Sequence, residues 1–112
     1  MITFGTTLSD GAATVIEATG RLDMVAAPQL KALIQAAVTK GETPVIIDLS
    51  GITFMDSTGL AALISGLRVT RQAGSDLRIA GATSQVLSVL QMTGIDRIIL
   101  PYANIDDALH AA

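Results

Sequence analysis

The chain has 112 residues and a net charge of −3; 50% of its residues are hydrophobic, 15% charged and 3% aromatic. This length fits a single globular domain. The acidic balance and the scarcity of aromatic side chains argue against a nucleic-acid partner, because phosphate binding needs a basic surface and base stacking needs aromatic rings. With no cysteine and one histidine, His110, thiol chemistry is excluded, and metal binding or imidazole-based catalysis is nearly so. We expect no cofactor and no metal.

Targeting segments are not evident in the sequence. The N-terminus lacks the basic start and apolar core of a signal peptide, and no run approaches the roughly 18–20 apolar residues that span a bilayer. We therefore expect a cytoplasmic protein that does not insert directly into a membrane.

The first part of the chain predicts two strands and a helix. Residues 3–8 and 14–18 are rich in threonine and apolar residues and predict strands, and the turn residues at 9–11 predict that they form a hairpin. A helix should follow, with Pro28 in its first turn and Gly41 as its C-terminal cap. Its predicted buried face, at helical spacing, consists of Leu30, Leu33, Ile34, Ala37 and Val38.

The second part of the chain predicts alternating strands and helices. Residues 45–49 are apolar enough for a strand buried on both faces. After a break, a helix should follow Asp56 and bury Leu60, Leu63, Ile64 and Leu67. The order ββαβαβαβα predicts one α/β domain over residues 1–112, with a mixed, partly parallel sheet packed with α-helices. The remaining predicted elements are a strand at 77–80, a helix from Thr83 to Met92 ended by Gly94, a strand at 98–100 ended by Pro101, and a helix that Asn104 caps and that packs Ile105 and Leu109.

The strongest candidate site is the Asp-Ser-Thr-Gly segment at residues 56–59, where a helix should begin. The segment could be only a helix cap, since Asp and Ser accept hydrogen bonds from unpaired backbone N–H groups. It could also be functional, since a helix N-terminus favours anions and an exposed hydroxyl there can carry a phosphate. From residue types alone both readings stay open.

Two enzymatic interpretations of this segment are disfavoured. A hydrolase nucleophile elbow needs a glycine where Met55 stands, and His110 is the only imidazole that could serve as its base. The sequence contains no Gly-x-x-x-x-Gly-Lys-Ser/Thr loop, so an NTPase is not indicated. We expect no enzyme.

Other charged residues have simple structural explanations. Asp48, inside an apolar strand, is expected to bond nearby backbone, and Asp23 is expected to be a solvated turn carboxylate. Arg68 and Arg71 should lie on the solvated face of their helix.

Three segments together resemble the STAS-domain anti-anti-sigma factors of bacteria. They are Gly-Arg-Leu-Asp at 20–23, Val-Ile-Ile-Asp-Leu-Ser-Gly at 45–51 and Phe-Met-Asp-Ser-Thr-Gly-Leu at 54–60. The likeness extends through residues 86–95 and 98–99 and so covers essentially the whole chain. Its most specific part is Met-Asp-Ser-Thr-Gly-Leu.

The resemblance implies a regulatory switch. Such proteins, when unmodified, bind an anti-sigma factor that is also a serine kinase and thereby free a sigma factor. Phosphorylation, which maps to Ser57 with Thr58 as a secondary candidate, abolishes binding, and a separate serine phosphatase restores it. We expect Gly59 to leave room for the partner backbone. The partner-binding residues that the resemblance implies are Asp23, Met55, Asp56, Ser57, Thr58 and Gly59.

A STAS domain can also have other roles. It can be a subunit of a lipid or anion ABC transport complex, or a scaffold subunit of a stress-sensing assembly. Whether the chain associates with itself is not predicted.

Overall fold

The computed structural model describes residues 2–9 and 13–111. In this part of the chain, strands and α-helices alternate in the predicted order ββαβαβαβα, so the predicted α/β class is confirmed. Of the predicted turn at 9–11, residues 10 and 11 lie outside the described residues. The elements are β1 (Thr3–Ser9), β2 (Ala13–Leu22), α1 (Ala27–Thr39), β3 (Val45–Met55), α2 (Ser57–Gln72), β4 (Leu77–Ala80), α3 (Ser84–Thr93), a 3₁₀ turn (Ile95–Arg97), β5 (Pro101–Tyr102) and α4 (Ile105–Leu109).

The strands form one mixed sheet in the order β1-β2-β3-β4-β5. β1 pairs antiparallel with β2, whereas the pairs β2–β3, β3–β4 and β4–β5 are parallel. The carboxyl ends of β2, β3 and β4 therefore lie at one edge of the sheet, and the three long helices each start just after one of them. This arrangement brings turns from distant parts of the sequence together.

Each face of the sheet has its own apolar core. The larger core lies between the sheet and α1, α2 and α3, and the smaller one lies where α4 covers Val15, Ile46 and Ala80 with Ala108. Leu30, Ile34 and Ala37 of α1 are buried as predicted, with Leu33 and Val38 packed at the margin. Among the described residues, no helix is long and apolar enough to cross a membrane.

The strand predicted to end at residue 49 continues to Met55, so the predicted break is wrong. β3 continues past residue 49 because it stays paired with β2. The register of this pairing shifts between Glu17 and Thr19 and again between Gly20 and Arg21. The first of these shifts lets β3 include Ser50 and Gly51 without losing its pairing with β2. Gly51 fits closely there, since a Cβ at this position would lie 2.8 Å from Thr19 Oγ1.

The last strand is Pro101–Tyr102 and not residues 98–100, so the predicted position of this strand is wrong. Gly94 adopts a left-handed conformation that ends α3 and starts the 3₁₀ turn. The backbone N–H groups of Ile98 and Ile99 both donate to the carbonyl oxygen of Ile95. These bonds hold residues 98–99 in a turn, so they do not form a strand. Pro101 is tolerated in β5 because β5 is an edge strand.

Candidate functional site

The parallel pairing of β2 and β3 brings Asp23 and Asp56 to the same edge of the sheet. Leu22 and Met55 are paired in register, and the backbone N–H of Asp56 donates to the Leu22 carbonyl oxygen at 3.3 Å. Each aspartate is the residue that directly follows its strand. Two of the predicted partner-binding residues, 33 positions apart in sequence, therefore leave the sheet side by side.

Asp56 is the N-cap of α2. Its Oδ1 atom accepts hydrogen bonds from the Thr58 hydroxyl at 2.6 Å and from the backbone N–H groups of Thr58 and Gly59, both at 3.0 Å. The Thr58 hydroxyl, followed by the Gly59 N–H, holds the pKa of Asp56 below its ordinary value of 3.8 against the opposing effect of desolvation. Asp56 is therefore a carboxylate at neutral pH, and one of its oxygens holds the first turn of the helix.

The two neighbouring hydroxyls differ in what they bond. Ser57, the first residue of α2, is exposed, and its hydroxyl has no hydrogen bond to any residue in the described part of the chain. Thr58 is also exposed, but its hydroxyl donates to Asp56. Capping is thus the role of Asp56, and Ser57 is left available for a reaction or contact with another molecule.

Asp23 fixes the turn between β2 and α1. Its Oδ1 atom accepts from the backbone N–H groups of Val25 at 3.1 Å and Ala26 at 3.2 Å, and its carbonyl oxygen accepts from Ala27 N–H at 2.9 Å. The side chain is half-buried, so it is more than the solvated turn carboxylate expected from the sequence. The Oδ2 atom has no hydrogen bond to the described residues.

Met55 and Gly59, two of the predicted partner-binding residues, are buried. The Met55 side chain is 1% exposed and belongs to the main core. Gly59 is buried, and a Cβ there would overlap the Leu22 carbonyl oxygen. Gly59 lies on the same helical stripe as Leu63 and Gly66, and this spacing could have identified it as a packing position.

Gln85, which no sequence pattern indicates, supports the site from α3. β3 extends beyond the end of β4, so the backbone of its last residues lacks a neighbouring strand on that side. The Gln85 side chain fills this role, accepting from Met55 N–H at 2.9 Å and donating to the Met55 carbonyl oxygen at 3.2 Å. Thr83 occupies the predicted N-cap position but donates to the Ile52 carbonyl oxygen instead. Only the sheet topology reveals these contacts.

The remaining charged candidates lie elsewhere. Asp48 accepts from the backbone N–H of Ser50 at 3.0 Å, as predicted. Arg71 is not simply solvated, because it contacts Asp76 at 3.5 Å and donates to the Ile98 carbonyl oxygen at 3.3 Å. Within residues 2–9 and 13–111, no group of three or more acidic or histidine side chains is placed to hold a metal ion.

The fold and this strand-turn-helix site define a known class of regulatory domain. Residues 6–101 match the family model described as "Mlab, STAS domain", and the chain belongs to the STAS domain family. The anti-sigma-B factor antagonist of Listeria monocytogenes is 30% identical to this chain over 80 residues, which cover 71% of the chain and 70% of the relative.

Solved structures show the same fold over nearly the whole chain. An anti-sigma factor antagonist from Mycobacterium paratuberculosis superposes with a TM-score of 0.88 at 30% identity, covering 99% of this chain and 93% of that one. The Bacillus cell fate determinant SpoIIAA in its phosphorylated form gives a TM-score of 0.75 at 22% identity, covering 96% of each chain. At that identity the second likeness concerns the fold alone.

Proposed function

We propose that this chain is an anti-sigma factor antagonist that acts in the cytoplasm. In its unphosphorylated form it binds a serine-kinase anti-sigma factor and releases the sigma factor, and phosphorylation of Ser57 ends that binding. The names of the similar proteins from Listeria and Mycobacterium support the general role. The observation that carries the switch is the exposed Ser57 hydroxyl, which is unbonded within the described residues while its neighbours hold the helix.

Phosphorylation at this position requires no refolding. The Ser57 oxygen attacks the γ-phosphorus of ATP, ADP leaves, and the hydroxyl proton passes to a base of the kinase. No hydrogen bond to the described residues is broken, because Ser57 Oγ makes none. Thr58 is the secondary acceptor, since its reaction would first break the bond to Asp56. A separate serine phosphatase hydrolyses the phosphoserine and restores the binding form.

The added charge explains how binding is lost. A phosphate adds about −1.5 to −2 charges next to the Asp56 carboxylate and near Asp23. The N-terminus of α2 offsets part of this charge when the surface is open to water. A partner packed over Ser57 would instead desolvate the phosphate beside two carboxylates. A penalty of about 3 kcal/mol weakens binding by more than a hundredfold.

Catalysis by the chain itself is not part of this proposal. His110 ends α4, which packs on the face of the sheet opposite to α2, so its imidazole is not placed to activate Ser57. Hydrolysis of acyl esters that depends on Ser57 would contradict this view.

The test uses purified anti-sigma factors from the organism whose genome encodes this chain. Each is incubated with the chain and ATP, the acceptor is located by mass spectrometry, and affinity is measured by calorimetric titration. We expect phosphate on Ser57, wild-type affinity for Ser57→Ala with or without ATP, and at least about a hundredfold weaker binding for Ser57→Asp. Ser88→Asp is the charge control, because Ser88 is exposed within α3 and adds the same charge elsewhere.

Two outcomes would count against the proposal. If Ser57→Asp binds as well as Ser88→Asp, phosphorylation at Ser57 does not control the interface. If no anti-sigma factor binds the wild-type chain, the role as antagonist is wrong, and a transport subunit or a scaffold takes its place.

A further inference from the structure

Two consecutive apolar side chains project into solvent beside the candidate switch. Met24 is 66% exposed and Val25 is 71% exposed, although the next two residues, Ala26 and Ala27, are 0% and 6% exposed. An isolated exposed apolar residue is common on protein surfaces and needs no explanation. Two adjacent exposed apolar side chains beside a candidate binding site, in contrast, indicate an interaction surface.

The turn that carries Met24 and Val25 is held firmly. Asp23 Oδ1 bonds the backbone N–H groups of Val25 and Ala26, and the Asp23 carbonyl oxygen bonds Ala27 N–H. Ala26 and Ala27 are packed in the main core. The backbone beneath both exposed side chains is therefore already ordered, so binding through them costs little backbone entropy.

The same turn is continuous with the Ser57 site. It begins directly after Leu22, whose carbonyl oxygen accepts from Asp56 N–H and whose backbone and side chain pack against Gly59 in the first turn of α2. A partner that covers Ser57 at the N-terminus of α2 therefore meets the turn at residues 23–26 next to it.

The charges around the turn indicate the partner's chemistry. Asp23 and Asp56 each use Oδ1 for internal hydrogen bonds, while neither Oδ2 has a bond to the described residues. The nearest arginine in sequence, Arg21, points to the face of the sheet opposite to the larger core that buries Leu22. Its guanidinium lies 4.4 Å from the centre of the Phe54 ring. The surface beside Ser57 thus combines two apolar side chains with two acidic groups.

We infer that Met24 and Val25 form an apolar anchor that enters an apolar pocket, rimmed by lysine or arginine, on the anti-sigma factor that binds this chain. The inference rests on the proposed function and assigns a different task to a different part of the surface. The anchor supplies affinity in both phosphorylation states, and Ser57 supplies the change between them. Methionine suits this task because its side chain adapts to irregular pockets.

The test measures the affinity of the purified anti-sigma factor for Met24→Ser and Val25→Ser, alone and combined with Ser57→Asp. Each single substitution should weaken binding about tenfold or more, since it removes a buried apolar side chain from the interface. The factor by which Ser57→Asp weakens binding should be the same in the Met24 and Val25 variants as in the wild type, because the two groups act separately. Unfolding midpoints should not change, since neither side chain is packed within the chain.

Two other exposed apolar residues provide matched controls. Met92 is 86% exposed near the end of α3, seven residues or about 10 Å along the helix from Gln85, the residue that bonds Met55. Leu8 is 59% exposed and pairs with Thr14, eight residues from Leu22 along β2, or about 26 Å in an extended strand. Met92→Ser and Leu8→Ser should bind within about twofold of the wild type, a change too small to count as an interface contact.

Each result decides between the anchor and the switch. If Met24→Ser and Val25→Ser bind like the controls while Ser57→Asp binds weakly, the anchor is wrong and the switch stands. If both anchor variants bind weakly and Ser57→Asp binds normally, the anchor stands and the switch is wrong. Equal losses in Met92→Ser and Leu8→Ser would overturn the anchor, and failure of every anti-sigma factor to bind the wild type would overturn both proposals.

Discussion

Gly59 lies directly against Leu22, so that the first turn of α2 rests on the last residue of β2. A Cβ at position 59 would overlap the Leu22 carbonyl oxygen and lie 2.9 Å from Leu22 Cγ. The same carbonyl oxygen accepts the hydrogen bond from Asp56 N–H. The helix that begins at Ser57 therefore has its position fixed by backbone contact, and residue 59 has no room for a side chain.

The Gly59→Val variant tests this contact. We expect the free energy of unfolding to fall by at least about 1–3 kcal/mol, because backbone atoms must shift to admit the side chain. The measurement is urea denaturation, with Gly5→Val as the control, since a Cβ at Gly5 meets no atom within 4 Å. A wild-type midpoint for Gly59→Val would mean that α2 can move away from β2 at little cost.

The Asp56 carboxyl should make stability depend on pH in the acid range. Its pKa is lower in the folded chain than in the unfolded chain, chiefly through the Thr58 hydroxyl. The unfolded state therefore binds more protons around and below the ordinary value of 3.8, so the contribution is complete above that value and is lost as the pH falls through the folded pKa. In an NMR titration, Thr58→Val should raise the pKa of Asp56 towards its ordinary value. An unchanged titration would show that the hydroxyl is not its main cause.

Ser57 and Thr58 should differ in their effect on stability although they are neighbours of similar exposure. Ser57→Ala removes a hydroxyl without an internal bond and should stay within about 0.5 kcal/mol of the wild type. Thr58→Val keeps the branched shape but loses the bond to Asp56, so it should unfold at a lower urea concentration than Ser57→Ala. The reverse order would assign the capping role to Ser57 and weaken its case as the phosphate acceptor.

Gln85 should control how firmly the end of β3 is held. Gln85→Leu removes both hydrogen bonds to Met55 at similar volume and leaves a part-buried N–H and carbonyl oxygen unpaired, at a cost of about 1–3 kcal/mol. Amide hydrogen exchange of Met55 should accelerate. Gln91→Leu, on an exposed position of the same helix, is the control and should leave that exchange rate unchanged.

The sequence predicts the elements of this fold well where one face of an element is apolar. The stripe of α1, the Asn104 cap of α4 and the left-handed Gly94 follow from local patterns, and the structure confirms them. The apolar residues 98–100 resemble a strand because local composition does not distinguish a strand from a segment that a 3₁₀ turn bends.

In the candidate site, too, some features could be predicted from the sequence and others could not. Residue types indicated that a helix starts at Asp56, but they did not distinguish the hydroxyl that is bonded from the one that is not. The family resemblance implies contact roles for Met55 and Gly59, whereas the structure buries both residues. Gln85 could not be found from sequence, since its role exists only because β4 is shorter than β3.

The division of tasks between Asp56 and Ser57 bears on how such a domain can evolve. Since the helix start is held by residue 56, residue 57 can be exchanged without bringing the fold closer to its stability threshold. A single substitution can therefore remove the proposed phosphate acceptor, or restore it, in a lineage whose domain remains fully folded throughout. The proposed regulation can thus be lost and regained independently of the fold that displays residue 57.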